Sequence, residues 1–335
     1  MNENYLPAGF TSRSATLDDV DIAADLFKTY ALATAGVEDI NAEETRTMWA
    51  SPGFNPATDI YLVFAPNGQL VAYAETWVNS EIPVHPFIWA CVHPDFTGKG
   101  LGTYVTNWSE ERCGQLIEKL PADLRLAPRV SAFSTNQSAH QLFEDLKWTH
   151  IRSFYTMRID MESAPPAPQW PAGISLQPYQ PEQLRDIYTA HRETFRDHFG
   201  YVELPFESGF EQFKHGLEND PQHDPSLWFI AREGNEIAGY CLCRVSSFSD
   251  HDAGYVNILG VRRNWRKHGL GLALLHQAFG EFHQRGQMHV ELGVDASSLT
   301  GALRLYEKAG MHVHSQTDTF EKELRPGREI ATESL

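Results

Sequence analysis

The sequence predicts an α/β (α+β) fold built twice over: two tandem copies of one plan, each a mixed, mostly antiparallel twisted sheet flanked by helices. Three observations carry this. A chain of 335 residues, 42% of them hydrophobic, is long enough to bury two cores. The clearest linker, "MESAPPAPQWPAG" at 161–173, divides it into near-equal halves, because its prolines continue neither a helix nor an inner strand. The halves then repeat the same signals in the same order.

Each half opens on a helical pattern, "LDDVDIAADLFKTYALA" in the first and "PEQLRDIYTAHRETF" in the second. A strand, a turn and a strand follow: "DIYLVFAPNGQLVAYAETWV" and "SLWFIAREGNEIAGYCLCRV". The turns "APNGQ" and "REGNE" carry the asparagine and glycine that tight hairpins favour. A further strand ends at a valine, "FIWACV" and "YVNILGV", and runs into a glycine turn and a long amphipathic stretch. One ungapped shift takes Val92 to Val261, Gly100 to Gly269 and Gly102 to Gly271. Past that stretch each half has another strand ("RVSAFS", "HVELGVD"), a helix ("SAHQLFEDL", "TGALRLYEKAG") and a final strand pair. The expected boundaries are 1–160 for the first domain, 161–173 for the linker, 174–325 for the second domain and 326–335 for a frayed tail.

Composition narrows the function. A formal net charge of -17 repels phosphate backbones and anionic lipid, so neither nucleic acid nor a membrane is an expected partner. No apolar stretch approaches the roughly 18–20 residues that cross a bilayer. "MNENYLPAGFTSRS" lacks the basic and apolar regions of a signal peptide, and a cytoplasmic protein is expected. Cys91, Cys113, Cys241 and Cys243 read as reduced, buried thiols. "CLC" puts Cys241 and Cys243 on one strand face and lacks the C-x-x-C spacing of redox and zinc sites. His312 and His314 alternate along a late strand without the further ligands a metal needs, so no metal is expected.

The stretch "WRKHGLGLALL" carries the chemistry. A strand runs into a glycine turn that opens a helix, whose first amides have no intrahelical acceptor. Those donors and the positive end of the helix dipole form an anion site. Glycine lets a phosphate approach the backbone, and Arg266, Lys267 and His268 add charge at the mouth. The paler copy, "FTGKGLGTYVT", keeps Gly98, Lys99, Gly100 and Gly102 but has Thr97 where the arginine stands. A dinucleotide fingerprint needs a third glycine after a first strand, and a P-loop needs G-K-[ST]; neither copy has them.

R-x-x-G-x-G/A after a strand, here Arg266 to Gly271, resembles the acetyl-CoA motif of the GCN5-related N-acetyltransferases. "ALRLYEKAGM" resembles that family's second signature, and "NQSAHQLFEDLKW" repeats it in the first half. The resemblance covers nearly the whole chain and is to the tandem-domain type that includes the mycothiol synthases. It implies a splayed sheet in each half, with acetyl-CoA as co-substrate wedged between two strands. Leu259 and Val261 would hold the acetyl and pantetheine part. The amides of Arg266, Lys267, His268, Gly269, Leu270 and Gly271 would take the pyrophosphate. Val92, Gly98, Lys99, Gly100 and Gly102 are the matching positions of the first half.

Acetyl transfer to an amine needs a base, because an alkyl amine with a pKa of about 10 is mostly protonated at neutral pH. It also needs a donor to the developing oxyanion, which a strand amide near Leu259 or Val261 supplies. By the resemblance, Tyr306 is the acid that protonates the leaving thiolate. The first half has Phe143 there, so the second half is expected to be the working one. The glutamate that relatives often use as base is replaced by Tyr255 and, in the first half, by Pro86. Tyr255 as part of a relay, Asp252, His251, Glu291 and Asp295 are the substitutes. Asp197, His198 and Tyr201 in "FRDHFGYVE" are candidate contacts to a small-molecule amine acceptor, with Gly200 as a helix stop the competing reading. The expected activity is acetyl-CoA-dependent N-acetyl transfer by a monomer whose internal duplication replaces a dimer. A non-catalytic acetyl-CoA sensor and a protein N-acetyltransferase are the alternatives.

Overall fold

The computed structural model describes residues 5–34, 36, 42–78, 81–247, 250–298 and 301–333. The first half contains β1 (Thr11–Ser14), α1 (Val20–Thr34), α2 (Ala42–Trp49), α3 (Pro56–Asp59), β2 (Ile60–Phe64), β3 (Leu70–Trp77) and β4 (Phe87–Val92), then α4 (Leu101–Gly114), β5 (Arg129–Phe133), α5 (Gln137–Asp145) and β6 (Thr149–Asp160). The second contains β7 (Ile174–Pro178), α6 (Leu184–Phe195), α7 (Phe206–Glu218), β8 (His223–Glu233), β9 (Glu236–Arg244) and β10 (Ala253–Val261), then α8 (Leu270–Gln284), β11 (His289–Asp295), α9 (Ala302–Lys308) and β12 (His312–Glu321). No helix among the described residues is long and apolar enough to cross a membrane.

Local chemistry accounts for the repeat. In the first hairpin Gly68 adopts φ +83° and the Asn67 side chain accepts from the Gln69 amide; in the second Gly234 adopts φ +57°. Both halves enter their first helix through a box of reciprocal hydrogen bonds, Thr16 with Asp19 and Gln180 with Gln183. The apolar stripe of α8 (Leu270, Ala273, Leu274, Leu275, Ala278, Phe279 and Phe282) is buried against the second sheet. Each such Leu or Phe contributes about 1.5–3 kcal/mol of transfer free energy. Gly254 lets α8 sit close, since a Cβ there would lie 2.5 Å from the Phe282 ring.

The chain forms two units, Met1–Arg152 with Thr317–Ile330, and Ser153–Gln316 with Ala331–Leu335. In the first, β1 to β4 run as an antiparallel meander, β5 lies parallel to β4, and β12 lies antiparallel to β5. In the second, β7 to β10 repeat the meander, β11 lies parallel to β10, and β6 lies antiparallel to β11.

The units correct the linear division at 160 and 174. A single long strand closes each half, not a strand pair, and each closing strand is used by the other unit. Phe154–Asp160 of β6 pair with β11, and Thr317–Glu321 of β12 pair with β5. Residues 161–173 are irregular, as their prolines demand, yet Met161 is buried in the second core and Trp170 packs against it. The segment expected to fray is held: Glu329 accepts from Arg125 at 3.2 Å and lies 3.0 Å from the His85 ring nitrogen, and Arg328 pairs with Asp123 at 2.8 Å.

Asp19 anchors the first unit's entry to α1. Its carboxylate accepts from Arg13 at 2.6 and 2.7 Å and from the Thr16 amide at 2.8 Å. The Arg13 hydrogen bond leads in holding its pKa at about 2, against an ordinary 3.8. A depressed carboxyl pKa stabilises the fold above the unfolded value, and that contribution is lost as pH falls through the folded value. Asp19→Asn is expected to lower stability at pH 7 by about 1–2 kcal/mol, allowing for the half-exposed Arg13. In thermal unfolding from pH 7 to pH 2, the gap to the parent protein should close below pH 4.

Candidate functional site

The second unit's site begins where its parallel strands part. β10 and β11 pair at Ala253–His289, Gly254–Val290 and Tyr255–Glu291, and no further. Beyond that point β10 keeps only β9 as a partner, through Val261, and β11 keeps only β6, through Asp295. The facing edges therefore offer backbone donors and acceptors to whatever lies between them. A β-bulge between Val256 and Ile258 shifts the register of β10 against β9 at the start of this fork. It puts Val256 and Leu259, three apart, on the α8 face, where a regular strand alternates every second residue. The broken alternation in "GYVNILGV" was the only sequence signal for the bulge, and a strand drawn without pairing hides it.

Tyr255 sits at the crotch of the fork. The Gly293 backbone hydrogen-bonds its hydroxyl, and burial raises its pKa. A Cβ on Gly293 would lie 3.3 Å from that oxygen, so the glycine makes room for the phenol. Tyr306, on α9, is buried in the core beneath α8. Burial, with Cys241 and Tyr255 nearby, pushes its phenol well up, so it stays protonated at any working pH.

The glycine turn closes one end of the fork. Gly269 (φ +86°) is the residue before α8, and no side chain caps the helix, so its first amides are open to an anion. A Cβ on Gly269 would meet nothing within 4 Å, whereas one on Gly271 would lie 3.0 Å from Leu305. The first glycine thus serves a left-handed turn facing open space, and the second serves helix packing. Lys267 (φ +66°) and His268 are exposed at the mouth. Arg266 is turned inward: its Nε donates to the Val261 carbonyl at 3.0 Å, which pins the turn to the end of β10. Leu270 is buried, and Leu259 and Val261 pack on the same core.

The remaining candidates divide by position. Asp197 accepts two 2.8 Å bonds from Arg263, so it ties the loop after α6 to the turn and is not free for an acceptor. Glu291 is fully buried, taking Arg158 at 3.0 Å and Ser247 at 2.6 Å. Asp252 and His251 are exposed in the turn entering β10, outside the fork. Asp295 accepts from the Ser297 amide and shapes the turn after β11. His198 packs against Phe195 with ring centroids 4.3 Å apart and planes tilted by 48°, has Arg266, Asp197 and Asp295 as its charged neighbours, and keeps one edge of its ring open to solvent. Burial against the loop is the leading cause that lowers its pKa. Tyr201 lies three residues on, in the same loop. His312 and His314 are exposed, and no group of three or more His, Cys, Asp or Glu among the described residues is arranged for a metal. Cys241 and Cys243 do share a face, 3.6 Å apart, and all four cysteines are buried and outside any disulfide.

The first unit has the same frame with different contents. β4 and β5 pair only at Phe87–Arg129 and Ile88–Val130, and β4 runs against β3 without a bulge. Gly98 (φ +73°) and Gly100 (φ +80°) shape the turn, a Cβ on Gly102 would lie 3.0 Å from Leu142, and the Lys99 ammonium lies over the Phe96 ring. A cavity of about 400 Å³ opens between the strands, lined by Tyr30, Val92, Gly98, Gly100, Gly102 and Phe143. The hydroxyl of Tyr73 donates to buried Glu75 at 2.7 Å. The tyrosine at the matching register, Tyr240, lies 2.8 Å from the Thr194 hydroxyl and 3.3 Å from His191 Nδ1.

His191 supplies a test of the second unit. Burial, with His198 nearby, holds its pKa at about 4 against 6.5. A depressed histidine favours the folded state above pH 6.5 and loses that contribution as pH falls toward 4. Replacing it with phenylalanine, which suits its stack on Phe195, should flatten the fall in melting temperature between pH 6.5 and 4.

Comparisons with known proteins agree with this geometry. The profile of the Acetyltransferase (GNAT) family matches residues 184–311. The crystal structure of a GCN5-related N-acetyltransferase from Sphaerobacter thermophilus is 34% identical, with a TM-score of 0.81 over 98% of this chain and 100% of that one. A tandem GNAT protein from the clavulanic acid biosynthesis pathway shares the fold at 14% identity, with a TM-score of 0.70 over 95% of this chain and 100% of that one. A mycothiol acetyltransferase of Thermobispora bispora is 28% identical over 225 residues, 65% of this chain and 70% of that protein. With the splayed strands and glycine turn present in both units, the chain belongs to the GCN5-related N-acetyltransferase (GNAT) family, in its tandem-domain form, and is an N-acetyltransferase.

Proposed function

We propose that the second unit transfers the acetyl group of acetyl-CoA to a primary amine of a small molecule, and that the first unit binds acetyl-CoA or CoA without turning it over. The observation that carries this is the pairing of a bulged β10 with the buried Tyr306 phenol in the second unit, against an unbulged β4 and Phe143 in the first. The residues of the second fork fit the co-substrate: the uncapped α8 terminus suits the pyrophosphate, and the unpaired edge of β10 suits the pantetheine amides.

Acetyl-CoA supplies the thioester whose C–S bond breaks as the C–N bond forms. A β10 amide beyond the bulge, near Leu259, donates to the carbonyl oxygen as charge builds there. Tyr306 gives its phenolic proton to the departing sulfur as the C–S bond breaks, in the same dry site where burial raises the basicity of the sulfur as it does that of the phenol. His198 receives the proton of the amine, since its exposed imidazole is neutral at pH 7. Tyr255 braces the fork, and Glu291 stays with Arg158 and Ser247. The name of the relatives, mycothiol acetyltransferase, supports a small-molecule acceptor. The cavity of the first unit, with its glycine turn kept, supports binding there.

Tyr306→Phe is expected to lower kcat roughly 10²- to 10⁴-fold with the Kd of CoA unchanged, as the loss of one general acid predicts. Release of CoA thiol with putrescine, glucosamine, tyramine and cysteine amide, beside CoA titration calorimetry, checks it. An unchanged kcat sinks catalysis in this unit. In the same assay kcat/KM should fall on an acid limb below pH 6.5, and His198→Gln should remove that limb.

A further inference from the structure

We propose that residues 331–333 are a positioning strap for the acceptor side of the second unit, and that Thr332 is the residue through which they act. This rests on the reading that the loop carrying His198 and Tyr201 faces the acceptor.

The loop at 196–205, between α6 and α7, has no regular structure. Two turn contacts, the His198 amide to the Phe195 carbonyl and the Tyr201 amide to the His198 carbonyl, and the Asp197–Arg263 pair hold its first part. Thr332 adds backbone bonds at Gly200 and Tyr201. The Gly200 amide donates to the Thr332 carbonyl at 2.7 Å, and the Thr332 amide donates to the Tyr201 carbonyl at 2.9 Å, a one-residue ladder against the loop. The Thr332 hydroxyl donates to the Arg196 carbonyl at 3.1 Å. All three bonds fall on residues that flank His198. Gly200 reaches its place with φ +80°, a conformation that leaves its amide pointing at the strap.

Residues 331–333 belong to the same unit as the loop they bond. The cores under α6 and α7 are built from Leu184, Ile187, Ala190 and Leu217 against β8 and β9, and do not use it. Removing the strap should free the loop and leave the unit folded.

The test uses the full chain, a chain ending at Ile330, Thr332→Ala, Thr332→Pro and Thr332→Ser. Amide hydrogen exchange reads the loop, CoA calorimetry reads the other half of the site, and thiol release with the four amines above reads turnover. The truncation and Thr332→Pro should abolish protection at Gly200 and raise the acceptor KM roughly tenfold or more, because small misplacements of a positioning group cost up to about 10²-fold. Over the same variants the Kd of CoA and the melting temperature should stay near the parent values. Thr332→Ala should fall between, and Thr332→Ser should match the parent. Unchanged protection at Gly200 in the truncated chain overturns the strap. Lost protection with an unchanged KM for every amine the full chain acetylates overturns its role in acceptor binding. That second result leaves acetyl transfer by the second unit standing, which Tyr306→Phe judges separately.

Discussion

Two parallel strands, β10 and β11, share three residue pairs and then separate at Tyr255 and Glu291. A sheet that splits inside a domain leaves two facing edges, and backbone groups on such edges need partners. Here the split is built, not accidental. The Tyr255 phenol stands at its root against Gly293, the bulge turns β10 away, and Arg266 fastens the glycine turn to the end of the same strand. Glu193 and Asp197 then hold Arg262 and Arg263, so the turn and the loop after α6 are fixed as one piece. The parted edges, the glycine turn and the loop after α6 all take their places from where the ladder stops.

The two units show how one frame diverges. Both keep the fork, the left-handed glycine before the helix and the packing glycine after it. At one shared position on the third meander strand, Tyr73 faces a buried carboxylate in the first unit, while Tyr240 faces a hydroxyl and an imidazole in the second. Burial raises the pKa of Glu75, which favours its protonated form. The second unit has Tyr306 buried in its core where the first has Phe143, and His198 lies in its loop after α6. A duplicated fold can thus keep the glycine turn and the parted strands in both copies while the side chains around them diverge.

The exchange of closing strands also bears on folding. The first sheet is completed by Thr317–Glu321 and the second by Phe154–Asp160, so neither sheet is complete until distant parts of the chain meet. Arg125 and Arg129 converge on Glu321 in the first unit, and Arg158 meets Glu291 in the second, so each exchanged strand is tied by a buried or half-buried ion pair. Breaking such a pair on one side leaves a charge without its partner, which makes a misplaced closing strand costly.

Much of this was legible from residues alone. Alternating apolar runs, Asn-Gly turns, the helix-opening glycines and the repeat of all of these are local signals, and local backbone preferences write them directly. They determined the fold class, the duplication, the helix-opening turn at Gly269 and the contrast between Tyr306 and Phe143. Tertiary structure decided the rest, because pairing partners lie far apart in sequence. It showed Arg266 facing the backbone, Asp197 engaged with Arg263, Asp252 outside the fork and Glu291 sealed with Arg158. It also moved the unit boundaries and turned an expected frayed tail into an anchored one. The physical reason is common to all of these: a charged side chain or a strand edge is settled by whatever neighbour relieves its desolvation or completes its ladder, and the chain order does not say which neighbour that is.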